Sequence, residues 1–254
     1  MVASWLRHGR EVALQLLEQC CQTFELGVIH IFDRGYAGEP WLRALEGHNA
    51  RFILRWTKHY QLENADGTRD AAWKLLRGKR CTSHRLIRDG RYQQERKVGL
   101  KTLQVFHRGY SHGLVPLHLV VASRGQGHEP WYLLTNEAIH DEEEAWDIVM
   151  AYARRWQIES CFRFNKTELA LESPRLWTWE RRRKLLMLVT LVYALLLALL
   201  QLPESWKSAL LRRWCHRTGK RSRDTPTPLY RIRAALAALF THSPPQIVDY
   251  KSSG

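Results

Sequence analysis

No Cys-x-x-Cys pair occurs in the chain, and its twelve His residues show no zinc-ligand spacing. These absences argue against a structural zinc module. Five Cys is an odd number, with Cys20 and Cys21 adjacent, so reduced thiols are expected rather than a disulfide framework. The stretch from Met1 to Arg10 lacks the apolar core of a signal peptide, and a cytoplasmic location is the expectation. No internal repeat or long low-complexity segment is present, which argues against a solenoid or an array. Acid is the scarcer charge: 39 Lys and Arg against 25 Asp and Glu leave a formal +14, with a pI near 9.9. Such a balance favours a polyanionic partner, either nucleic acid or an acidic membrane surface.

Long apolar runs are also few. Only Leu185 to Leu202 qualifies, interrupted by Thr190, Tyr193 and Gln201. Its length touches the threshold for a membrane span, and Arg181 to Lys184 would be the cytoplasmic flank. A fully buried helix of a soluble domain has the same composition.

A hydrophobic content of 45% in 254 residues permits a sizeable core in one large domain or two small ones. Residues 8–24 read as a helix with an apolar stripe of Val12, Leu16, Leu17 and Cys20. Gly27 to Phe32 is a short β-branched run ending at Asp33, and Arg51 to Trp56 is a second strand. Gly35 and Gly38 mark a turn between them, followed by a helix over 39–47. Strand, Asp turn, helix, strand is a parallel α/β pattern, in which ligands gather at the carboxyl ends of strands. Residues 57–128 change character. Asn64 to Gly67 and Asp89-Gly90 are turn signals, and Lys101 to Arg108 and Leu114 to Ser123 read as strands. Asp141 to Glu144 opens a helix whose acids suit its N-terminus, with Asp141 and Glu144 spaced as a capping box. Trp146, Val149, Tyr152 and Trp156 form its expected buried side. Trp206 to Arg223 holds seven Lys or Arg and no acid, Asp224 to Pro228 is a linker, and Leu229 to Phe240 is a short helix before a disordered tail.

Tyr152, Arg155, Glu159 and Lys166 stand at i, i+3, i+7 and i+14. On one continuous helix they would fall within roughly 60° of a single face. A carboxylate between cations suits a phosphate held near a hard metal ion. The plainer reading is an exposed helix with i, i+4 ion pairs such as Arg155 to Glu159.

The pattern Y-x2-R-x3-E-x6-K resembles the signature of bacterial insertion-sequence transposases of the insertion-sequence-four family. Trp156 follows Arg155 as in the common R-W-x-I-E form, Phe162 lies within the motif, and Leu171, Glu172 and Arg175 follow it. Trp131 to Asn136 looks like the strand before the Glu helix, and Ile31 to Tyr36 like the turn carrying the second Asp. The resemblance covers roughly residues 8–200. It implies an α/β, RNase H-like catalytic core with a β-rich insertion and a helical C-terminal part. The divisions would be 1–56, an insertion over 57–128, the rest of the core over 129–202 with a buried apolar helix, and a basic helical region over 203–254. The family's apolar helix at this place favours burial of Leu185 to Leu202 over a membrane span.

The resemblance also implies the chemistry. Asp33 and Glu159 would be catalytic and would bind two Mg²⁺ or Mn²⁺ ions that cut and join DNA. Tyr152, Arg155 and Lys166 would position the DNA strand, with Arg34 as a further phosphate contact. Trp131 would either stack a flipped base, as in relatives that pass through a DNA hairpin, or serve as a core residue. Implied partners are transposon ends and target DNA, a second copy in a synaptic homodimer, and no membrane, in a nucleoid-associated setting.

The first Asp of the family's triad has no counterpart, since no Asp precedes Asp33, and Asp66, Asp70 and Asp89 lie out of order in the insertion. An N-terminally truncated, incomplete core is therefore expected, inactive on its own. The competing readings are a catalytically dead remnant that binds DNA or a full-length transposase, a single-span membrane protein, and a structure-specific nuclease on the same scaffold.

Overall fold

The computed structural model describes residues 2–89, 94–123, 125, 128–215 and 229–243. Gly90, the basic stretch beyond Cys215, the linker of Asp224 to Pro228 and the tail over 244–254 lie outside those residues. The chain divides into two compact units, Met1–Arg155 and Trp156–Gly254.

The first unit is built on an eight-stranded sheet. In chain order its strands are β1 (His30–Phe32), β2 (Phe52–Arg55), β3 (Gln61–Asn64), β4 (Arg69–Ala71), β5 (Ser83–Asp89), β6 (Gln94–Phe106), β7 (Leu117–Ser123) and β8 (Trp131–Thr135). They lie in the order β1-β2-β8-β7-β6-β3-β4, with β5 also paired to β6. β1 and β2 are parallel and all other pairs are antiparallel. The strands of residues 57–128 therefore continue the sheet begun by β1 and β2.

Side chains alternate between the two faces, as the pleat requires. Phe52, Leu54, Leu119, Val121 and Leu134 enter one core, which also holds Leu17, Trp41, Leu42 and Leu45. Ile53, Val120, Ala122 and Leu133 enter the other, with Trp146, Val149 and Tyr152. A sheet covered on both faces explains why these strands read as nearly unbroken apolar runs. The first face is covered by α1 (Val2–Phe24) and α2 (Glu39–Gly47), the second by α4 (Glu142–Ala153). The short α3 (Ala72–Leu75) follows β4.

The inward stripe of α1 is Ala13, Leu14, Leu17 and Cys21, whereas Val12 and Leu16 are exposed. This corrects the expected stripe. Both sets have helical spacing, and the choice is made by Leu17 joining the Trp41, Leu42 and Leu45 cluster. Asp141 caps α4 by accepting from Glu144 N at 2.8 Å, but the Glu144 carboxylate accepts from His140 N rather than completing the box on Asp141.

The second unit contains α5 (Trp156–Thr167), α6 (Trp179–Leu200), α7 (Glu204–Trp214) and α8 (Leu229–His242). α8 packs against α6 and α7. Thr178 caps α6, accepting from Arg181 N. α6 is long and apolar enough to cross a membrane by length and composition. Val189 and Leu196 are buried, while Leu186, Met187, Leu188, Leu191 and Leu195 are exposed. The helix is thus not enclosed on all sides as expected, because α8 covers part of its circumference and the remainder of the stripe faces outward.

The expected single helix from Tyr152 to Lys166 is also corrected. α4 ends at Ala153 and α5 begins at Trp156, with Arg155 N bonded to Tyr152 O at 3.0 Å in a tightened last turn. The four signature residues share one face only on an unbroken helix. Trp156 lies beyond the break and is exposed, so it does not share the buried side of Trp146, Val149 and Tyr152.

Candidate functional site

Asp33 follows β1 directly and precedes a 3-10 turn over Arg34–Tyr36, closed by Tyr36 N to Asp33 O at 3.0 Å. Gly38, at φ 141°, then redirects the chain into α2, a backbone conformation L side chains resist. Because β1 and β2 are parallel with Phe32 opposite Leu54, Asp33, just past the end of β1, comes beside Arg55, the last residue of β2. The carboxyl ends of the two strands thus bring an acid and a guanidinium together.

α4 supplies the rest. Tyr152 is fully buried against the second core, and its hydroxyl donates to Asp33 Oδ1 at 3.3 Å. Its ring lies edge-on to half-buried Trp131, centroids 5.1 Å apart. The Arg155 guanidinium sits 5.7 Å from the same ring centroid. Desolvation alone would raise the Asp33 carboxyl. The Arg34 backbone N–H, the Arg155 and Arg55 charges and the Tyr152 hydroxyl outweigh it and hold the carboxyl below its usual range. Burial pushes the Tyr152 phenol up, so it remains a donor at neutral pH.

A second carboxylate gathers the neighbouring cations. Glu129, just before β8, pairs with Arg34 at 3.3 Å, Arg55 at 3.7 Å and Lys58 at 4.0 Å. At the opposite end of β2, hydrogen bonds lace it to the end of β8. Thr135 Oγ1 donates to Phe52 O at 2.6 Å, Asn136 Oδ1 accepts from Phe52 N at 2.9 Å, and Asn136 Nδ2 donates to Ala50 O at 3.0 Å. Arg51 and Glu137 close that end with an ion pair.

The first unit therefore brings together Asp33, Arg34, Trp131, Tyr152 and Arg155. Glu159 and Lys166 lie on α5 in the second unit, Glu159 half-buried and Lys166 paired with Glu172 at 2.6 Å on the surface. Arg55, Lys58 and Glu129 were missed by sequence reasoning. The signal for Arg55 was available, since it ends the strand parallel to the one that ends at Asp33. Glu129 carried none, because only folding brings it to Arg34.

The cluster is suited to holding an anion. Three guanidinium groups and an ammonium surround two carboxylates at an open strand end. Among the described residues no group of three or more His, Cys, Asp or Glu side chains is placed to hold a metal ion. Asp33 and Glu129 are two carboxylates that both face cations, and that donor set alone does not fit a divalent ion, which needs several oxygens.

No curated protein matches the chain. A family model described as the transposase DDE domain matches residues 6–195, most of the chain. Such domains generally use divalent metals, and a mixed α/β sheet with helices agrees with their RNase H-like fold. The chain belongs to the transposase DDE domain family.

Proposed function

We propose that this chain is the DNA-handling part of an insertion-sequence transposase of the insertion-sequence-four family. In this reading the Asp33 turn receives a DNA phosphate between Arg34, Arg55 and Arg155. The observation that carries it is the convergence of these three cations at the carboxyl ends of β1 and β2, in a member of the transposase DDE domain family. Phosphate oxygens would replace Glu129 as the partner of Arg34, Arg55 and Lys58. Tyr152 keeps the Asp33 carboxylate ionised and oriented. Lys166 is a second-unit contact for the same polyanion.

Asp33 and Glu159 are the proposed oxygen ligands for Mg²⁺ or Mn²⁺. They number two, and cleavage with strand transfer by this family needs a further carboxylate. Among the described residues β1 pairs only with β2, so its other edge is open. An additional strand carrying that carboxylate could add there, which supports the reading of an incomplete catalytic core. The alternative, a catalytically dead remnant that binds DNA, draws on the same cation excess. Assembly as a homodimer on transposon ends and a nucleoid-associated cytoplasmic location belong to the proposal.

The test is duplex DNA affinity as a function of salt. Log affinity should fall linearly with log salt. Replacing Arg55 or Arg155 with Ala should weaken binding for all sequences alike and reduce the slope by about one each. Affinity independent of salt, or slopes untouched by both substitutions, would refute phosphate binding at this turn.

A further inference from the structure

Beyond the Asp33 turn, the second unit contains a cavity of about 570 Å³ between the 171–177 segment and the first two turns of α6. Its walls are largely apolar, with Pro174, Leu176 and Leu185 among them. Two indoles stand at it in the open: Trp177 is 87% exposed and Trp179 75%. Arg175, Arg182 and Arg183 also line it. The one acid there, Glu172, already pairs with Lys166 at 2.6 Å.

The cavity is held in shape by hydrogen bonds among its side chains and its backbone. Arg182 Nε donates to Leu176 O at 2.8 Å, which ties α6 to the segment before it. Thr178 Oγ1 accepts from Arg181 N, and Leu171 N donates to Asn165 O at 3.0 Å, anchoring the segment to the end of α5. Two exposed tryptophans cost solvation free energy and contribute nothing to the core, so their position calls for a ligand with flat apolar faces. Three guanidinium groups at the same opening call for negative charge. A nucleotide has both: a base to stack and a phosphate to pair. A base inside a duplex is already stacked on its neighbours and cannot enter, so the fitting ligand is unpaired. The volume lies in the range of small-ligand sites.

We propose that this cavity binds an unpaired nucleotide of the DNA, its base stacked on Trp177 or Trp179 and its phosphate held by Arg175, Arg182 and Arg183. The proposal rests on the reading of the chain as a DNA-binding transposase and adds a single-strand subsite distinct from Trp131.

The test compares two fluorescently labelled DNAs by anisotropy with the full chain: a short blunt duplex, and the same duplex with an overhang of unpaired thymidines. The overhang should raise affinity about tenfold, the scale of stacking one base on an aromatic side chain. Trp177→Ala combined with Trp179→Ala should remove that preference and leave blunt-duplex affinity unchanged, while Trp177→Phe with Trp179→Phe should retain most of it. Both tryptophans are exposed, so melting temperature should not move. Equal affinity of the native chain for both DNAs would overturn the subsite while leaving duplex binding intact. Failure to bind even the blunt duplex would overturn the DNA reading itself. An intact overhang preference in the Ala variant, with a change in oligomeric state, would make the tryptophans a protein interface and overturn the subsite.

Discussion

Tyr152 has two roles that substitution can separate. Its ring is fully buried in the core with Trp146, Val149 and Ile53, and its hydroxyl reaches Asp33 at 3.3 Å. Tyr152→Ala removes the ring and should cost about 3–5 kcal/mol. Tyr152→Phe keeps the ring and loses the hydroxyl's long hydrogen bond to solvent-exposed Asp33 and its contact with Arg55. That bond should be worth about 1 kcal/mol, less than a typical bond to a charged acceptor because it is long and solvent-exposed. For a unit of this size each kcal/mol moves the melting point by roughly 2–4 °C, so the two variants should differ by about 10 °C. The acid limb adds a second test. A depressed folded-state pKa at Asp33 contributes stability above the unfolded value, and that stability is lost as pH falls through the folded one. Losing the hydroxyl lets the Asp33 pKa rise, so the gap between native chain and Phe variant should be present at neutral pH and close as Asp33 protonates. Urea melts across the acid range, followed by tryptophan fluorescence, measure both effects. A Phe variant as unstable as the Ala variant, or a gap that persists where Asp33 is protonated, would refute the assignment.

Two further outcomes follow from the charges and the apolar helix. Glu129→Gln frees Arg34, Arg55 and Lys58 from their shared partner, so duplex affinity should rise several-fold and its salt dependence steepen, as read by anisotropy against salt. Leu196→Arg, at a position 2% exposed, should yield insoluble or unfolded protein. Leu191→Lys, at 62%, should change stability by no more than about 0.5 kcal/mol, and solubility with thermal melting distinguishes the two.

The elements most legible in the sequence were those governed by local rules. The helix over 39–47 and the Asn64 to Gly67 turn of the β3–β4 hairpin lie where residue chemistry placed them, and the strand leading to Asp33 forms over His30–Phe32 only, since Gly27 closes a 3-10 turn. β5 was not legible, because Ser83 to Asp89 is a polar run whose Leu86 is exposed, and its strand state comes from pairing with β6. The break between α4 and α5 has no Pro or Gly to announce it, and the signature looked continuous across it. Of the candidate site, Asp33, Tyr152 and Arg155 could be named from their motifs. Glu129 and Lys58 became visible only once the sheet placed them beside Arg34 and Arg55.

The proposed function has this chain grip DNA while Asp33 and Glu159 alone supply too few carboxylates for strand transfer. It is tested most directly by incubating the purified full chain with Mg²⁺ or Mn²⁺ and DNA carrying the element's ends, then resolving nicked and joined products. Salt-sensitive binding without joined products is the expected result. Robust joining that Asp33→Ala abolishes would contradict it, and would mean that another residue of this chain supplies the further carboxylate.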